Sequence, residues 1–137
     1  MISLTIGILL VLISGMSKAI MDKVQFHYHK SIFKQDPTLF YQPFWDPLVS
    51  WQNKYKTDSM SEPKFTGSTT FFVFVTDAWH LFQMIMIFTM FMGVAITSYN
   101  CETPIELIFK VIVLRCFFGL SFTLFFNRFL AAKQMPV

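Results

Sequence analysis

Charge is what this chain has least of. Eleven lysines and arginines and eight aspartates and glutamates make only 14% of its 137 residues charged, where a soluble domain carries about a quarter. That excludes a disordered chain and a nucleic-acid module built on basic patches, so no nucleic-acid partner is expected. Cysteine is scarce too. Cys101 lies in a short polar break and Cys116 in an apolar run, with no CxxC spacing; neither a disulfide framework nor a thiolate metal site follows. The sequence has no Gly-rich phosphate loop, nucleophile elbow, HExxH, GxxxG or internal repeat. The start, Met1-Ile2-Ser3-Leu4, lacks a basic n-region, and Gly15-Met16-Ser17-Lys18-Ala19 is a poor cleavage site. Residues 2–21 therefore read as a retained transmembrane helix and not as a cleaved signal peptide.

What is present is apolar. Hydrophobic residues make up 54%, phenylalanine alone fills 18 positions, and mean hydropathy is +0.51. About 20 apolar residues cross a hydrocarbon core of ~30 Å, and three stretches qualify. These predict one all-α membrane domain. The first span covers 2–21, with a helical extension to 33. The second covers 68–98, long enough to tilt or project. The third covers 104–132, with Thr103 as N-cap, Pro104 in the first turn and Glu106 completing a capping box.

Between the first two spans, residues 34–67 contain Pro37, Pro43, Pro47 and Pro63, which forbid a continuous helix. Phe40, Tyr41, Phe44, Trp45, Trp51 and Tyr55 suit the membrane–water interface. The segment reads as a loop on the membrane surface partly covering the helix ends, with 56–63 as its mobile tip. It and its flanks hold Lys23, Lys30, Lys34, Lys54, Lys56 and Lys64; Arg128 stands at the end of the third span, Lys133 follows it, and the turn at Cys101 has none. The positive-inside rule puts the loop and the C-terminus in the cytoplasm and the N-terminus outside.

Ionisable residues near the spans carry the functional signal, because hydrocarbon penalises them. Ser14, Lys18, Asp22, Gln25 and His29 form one stripe along an extended first helix. Asp77 and His80 are neighbours at i and i+3 on the second, and Arg115 falls near the middle of the third. All three histidines thus converge with Asp22 and Asp77 on one leaflet. Imidazole and carboxylate donors without thiolate suit zinc, iron or manganese. The candidate ligands of such a divalent transition metal are Asp22, His29, Asp77 and His80, with His27 less favoured because i and i+2 face apart. Metal-activated water would make a membrane hydrolase for a lipid-like substrate. The structural alternative pairs Asp22 with Lys18 and Asp77 with Arg115. Haem between His80 and His27 or His29 has no CxxCH motif behind it, and a proton pathway would need an oligomer to line it. Met84, Met86, Met90 and Met92 share no single face and read as packing. Gly15, Gly93 and Gly119 are small residues suited to close helix approach.

Asp22 and Phe26-His27-Tyr28-His29, Phe44-Trp45-Asp46-Pro47, Ser50-Trp51-Gln52-Asn53-Lys54-Tyr55 and Thr76-Asp77-Ala78-Trp79-His80 together resemble small uncharacterised membrane proteins of bacteria and their phages, over about residues 20–90. The resemblance brings no activity and no assigned site; it implies a bacterial cytoplasmic membrane. Two functions are expected in competition. One is a metal-dependent membrane hydrolase. The other is a non-catalytic subunit or helper of a larger membrane complex, in a hetero- or homo-oligomer, whose polar residues form structural networks.

Overall fold

The computed structural model describes residues 2–57, 60–99 and 101–132, and it is all-helical. Three long helices dominate: α1 (Ile2–Phe26), α5 (Ala78–Ser98) and α6 (Pro104–Leu124), the last continued by a π-helical turn over Phe125–Phe129. Between α1 and α5 lie three single-turn helices, α2 (Ile32–Gln35), α3 (Gln42–Trp45) and α4 (Pro47–Ser50), and three short 3-10 turns. The long helices have mean hydropathy 2.0, 1.8 and 2.0 over their most apolar windows, enough with their length to cross a bilayer. Three spans of this kind imply contact with lipid.

The bundle is built on α1. Of its most apolar window 44% is buried, against 17% for α5 and 11% for the third span, so α1 is the element the other two share. Small residues explain this. A Cβ on Gly15 would lie 2.5 Å from the Phe118 carbonyl of α6, and a Cβ on Gly93 of α5 would lie 3.1 Å from the Gly7 carbonyl. Such close backbone approach replaces the hydrophobic effect as the glue between helices in lipid. Two hydroxyls add to it: Ser14 Oγ donates to the Met86 carbonyl at 2.9 Å, and Ser121 Oγ donates to the Leu12 carbonyl at 2.6 Å. The closeness expected of Gly15 and Gly93 is therefore present, and Gly7 joins them.

Aromatic residues close one end of the bundle. Phe33 stacks on Trp45 with ring centres 4.4 Å apart, Phe40 meets both edge-on, and Trp45 reaches Phe82 of α5 at 5.8 Å. The cluster packs against Ala19, Ile20, Val24 and Leu130. Gln42 pins it, its amide donating to the Phe33 and Phe40 carbonyls at 2.9 Å while its oxygen accepts from the Tyr28 hydroxyl. Burial, aided by the negative charge of Asp46 and opposed by the Gln42 hydrogen bond, pushes the Tyr28 phenol up to about 12. After the π-turn, Ile32 N donates to the Leu130 carbonyl and Ala132 N to the Lys30 carbonyl, tying the end of the third span to this plug.

Three sequence-predicted boundaries need correction. The first helix stops at Phe26 and not at 33: His27 leaves helical geometry at φ −135°, ψ 25°, in a run of aromatic residues with poor helix propensity. The second helix begins at Ala78 and not at 68. Residues 69–76 are all threonine, phenylalanine or valine, apolar enough for a span but β-branched or aromatic throughout, and they fold into turns after Gly67 at φ 84°. The intervening segment thus runs over 27–77, not 34–67. The third helix ends at Phe129 rather than 132. Its start is as expected: Thr103 Oγ1 accepts from Glu106 N at 3.1 Å, although Glu106 reaches back to the amide of Glu102, one residue earlier than a capping box requires. At the expected mobile tip, Asp58 and Ser59 lie outside the described residues, as does Lys133; the base of the tip is closed by Lys56 N on the Glu62 carbonyl and Lys64 N on the Lys54 carbonyl.

Gly15→Val must push α6 away from α1. The expected loss is about 1–3 kcal/mol, as for other overpacked contacts, read as a lower midpoint of unfolding in mixed micelles.

Candidate functional site, a polar cleft at the start of α5

Asp77 begins α5. Its backbone is extended, and its side chain accepts from His80 N at 3.0 Å, which satisfies an amide that a helix start otherwise leaves open. The i+3 spacing also brings the imidazole back: His80 Nδ1 lies 2.8 Å from both carboxylate oxygens. Thr76 Oγ1, which donates to the Val73 carbonyl at 2.7 Å, lies 3.2 Å from Oδ2, and Lys54 Nζ from the preceding loop stands 3.4 Å from the same atom. The carboxylate is buried, His80 half-buried. Burial works to raise the Asp77 carboxyl; the hydrogen bonds from the His80 side chain and amide, with the positive charges of His80 and Lys54, outweigh it and hold the group below its ordinary value.

Lys54 is placed by the loop. Asp46 caps α4 by accepting from Leu48 N at 3.0 Å, Asn53 donates to the Thr76 carbonyl at 2.9 Å, and Ser68 Oγ donates to the Lys54 carbonyl at 2.6 Å. The result is an open cleft of about 220 Å³ between α1, the loop and α5, lined by Val24, Gln25, Pro47, Ser50, Trp51, Lys54, Asp77, Trp79 and His80. In the neutral form of such a ring, a carboxylate at Nδ1 sets the tautomer and leaves Nε2 as the acceptor. The cleft thus holds a positioned imidazole beside a cation and two indoles, a combination suited to the polar part of an amphiphile.

The five predicted ligands do not assemble as one set. Asp77 and His80 meet. Asp22 instead pairs with Lys18 one turn earlier. His27 is exposed and sets its ring edge-on against Phe126 at 5.4 Å, where Lys23 also approaches within 4.1 Å of the ring centre. His29 is exposed beside the Tyr28 ring. Because the helix stops at Phe26, the stripe from Ser14 to Gln25 does not carry on to His29. Among the described residues no group of three or more His, Cys, Asp or Glu side chains is gathered as a metal site requires. The expected Asp77–Arg115 pair does not form: Asp77 caps the start of α5, while Arg115 sits midway along the third span. Lys54 was legible only as a loop charge, since its partner lies 23 residues away. No protein-family model, curated protein or solved structure matches the chain.

Asp77→Ala removes a cap and strands Lys54 and His80. It should cost about 1–2 kcal/mol in a micellar unfolding titration. The Asp77 contribution is fully present above the ordinary carboxylate value of 3.8 and is lost as pH falls through the depressed folded value. The stability gap between the wild type and Asp77→Asn should therefore hold down to about pH 4 and shrink only below it.

Proposed function

We propose that this chain is a non-catalytic subunit or helper of a larger membrane assembly. The observation that carries the reading is the openness of the bundle. α5 and α6 both lie along α1 but barely touch each other, and large apolar side chains stay uncovered on both, among them Phe88 and Phe91 at 65% and 72% exposure and Ile108 and Phe109 at 60% and 64%. The polar residues meanwhile serve the fold itself: Asp77 as cap, Lys18 and Asp22 as a pair, Lys110 with Glu106 at 2.6 Å. In this reading the chain resides in a bacterial cytoplasmic membrane. The lysine-bearing plug formed by 27–77 and the end of the third span face the cytoplasm, and the start of α1 and the Cys101 turn face outward.

The cleft supports a second reading, the metal-dependent hydrolase acting on a lipid-like substrate. It rests on Asp77 and His80 as neighbouring donors for zinc, iron or manganese, at a place an amphiphile can reach, with water completing the ion's coordination.

Two measurements separate the readings. Mild extraction from the native membrane followed by native mass measurement should give a complex containing a second membrane protein; a monomer or pure homo-oligomer in every mild detergent overturns the subunit reading. Metal analysis of protein prepared without chelators should give less than about a tenth of an equivalent of any transition metal, whereas stoichiometric metal lost on mutating Asp77 or His80 favours the hydrolase.

A further inference from the structure

Arg115 stands eleven residues from Pro104 and fourteen from Phe129, so its Cα lies about 16 Å and 21 Å from the two ends of the third span. Both distances are deep for a hydrocarbon core of ~30 Å. The residue is exposed, and its one aromatic contact places the guanidinium 5.7 Å from the Phe118 ring centre. Among the described residues it forms no ion pair and no hydrogen bond. The side chain also does not reach for the nearer interface at Pro104. It runs the other way, over Gly119, where an added Cβ would come within 3.0 Å of Arg115 Nη1. The bare glycine lets the charge lie flat at mid-depth.

The guanidinium borders a groove. At about 100° per residue, Val11 falls between the α1 face that meets α5 and the face that meets α6, and it forms the floor. Met90 and Val94 of α5 make one wall, Val111 and Phe118 of α6 the other, enclosing about 260 Å³ of almost wholly apolar space. The groove follows from α5 and α6 packing on α1 rather than on each other.

We propose that this groove receives a membrane-spanning helix of a different protein, and that a mid-membrane carboxylate on that helix pairs with Arg115. The proposal rests on the subunit reading above and names the chemistry of the partner. Charge complementarity selects it: an arginine in hydrocarbon demands a counter-charge or water, and its fork geometry matches a carboxylate. A second copy of this chain does not supply one. In the spans its acids are Asp22, four residues from one helix end of α1 and bound to Lys18, and Glu106 in the first turn of α6, bound to Lys110; none stands at mid-depth.

The test uses the full chain in phosphatidylcholine vesicles, labelled at Cys101 in a Cys116→Ser background, with a synthetic Leu/Ala transmembrane helix carrying a single central Glu as the probe. Energy transfer should report association that weakens about tenfold or more when the probe carries Gln, and equally when Arg115 is replaced by Gln. Arg115→Lys, which keeps the charge and controls for insertion, should retain most of the association. Equal association of Glu and Gln probes, no association with the Glu probe, or indifference to Arg115→Gln overturns the proposal. So does loss of the signal on adding phosphatidylglycerol, which assigns Arg115 to a lipid phosphate, or self-association of labelled copies that excludes the probe. The native mass measurement is separate: a heteromeric complex there, with a failed probe experiment, leaves the subunit reading standing and removes this one.

Discussion

Because Gly7, Ser14 and Gly15 present little or no side-chain bulk, α5 and α6 can lie against two adjacent faces of α1 with backbone close to backbone. In water, apolar burial would draw three helices into a closed triangle. In lipid the tails are as apolar as leucine, and attraction follows close packing and the odd hydroxyl bond instead. Small residues line α1 toward both neighbours, whereas the facing sides of α5 and α6 carry Met90, Val94, Val111 and Phe118. Two tight contacts and one loose one are the result. The central position of α1, the groove over Val11 and the exposure of Arg115 all descend from that uneven distribution of small side chains.

The same economy governs the capped end. A helix start buried among aromatic rings cannot leave its amides to water, so the entry to α5 needs an acceptor, and Asp77 supplies it. Once buried, that carboxylate needs positive donors of its own. His80 comes from one turn ahead on the same helix, and Lys54 has to be delivered by the loop. The loop can deliver it because Phe33, Phe40 and Trp45 anchor its first half and Gln42 ties their carbonyls together. The aromatic plug and the Asp77–His80–Lys54 group are therefore one construction: the first fixes the chain that brings the lysine to the second.

Local signals were readable and distant ones were not. Thr103, Pro104 and Glu106 announce a helix start within four residues, and α6 begins there. Residues 69–76 misled because a hydropathy window counts phenylalanine and valine as span-forming and is blind to their reluctance to be helical, while Gly67 and Asp77 on either side mark a turn and a cap. Phe26-His27-Tyr28-His29 failed for the same reason, and with the helix ended at Phe26 the expected register of His29 with Asp22 was lost. Arg115 was visible as a mid-span charge, but assigning it to Asp77 assumed that Asp77 lay inside its helix. Once that aspartate is the cap, the two charges are separated by depth.

That separation bears on which of the two unusual places in the fold is chemically complete. Asp77 already receives the His80 amide, the imidazole and the Lys54 ammonium, three of the four lone-pair sites a carboxylate offers. A cation arriving there must displace Lys54 and compete with the cap, so the pair is better suited to holding α5 in place than to holding an ion. Arg115 is the reverse case. It carries five donors in a setting where water is scarce, and among the described residues its own chain brings it a ring face and no oxygen. A charge in hydrocarbon left without a counter-charge costs more than a missing apolar contact, whereas Lys18, Lys54 and Lys110 each have a carboxylate beside them. The unmet demand of this protein is thus at mid-membrane on the α5–α6 side, and the surface that meets it must bring negative charge to hydrocarbon depth, which lipid headgroups do only by leaving the interface and a second polypeptide does by placing one acidic residue in a helix.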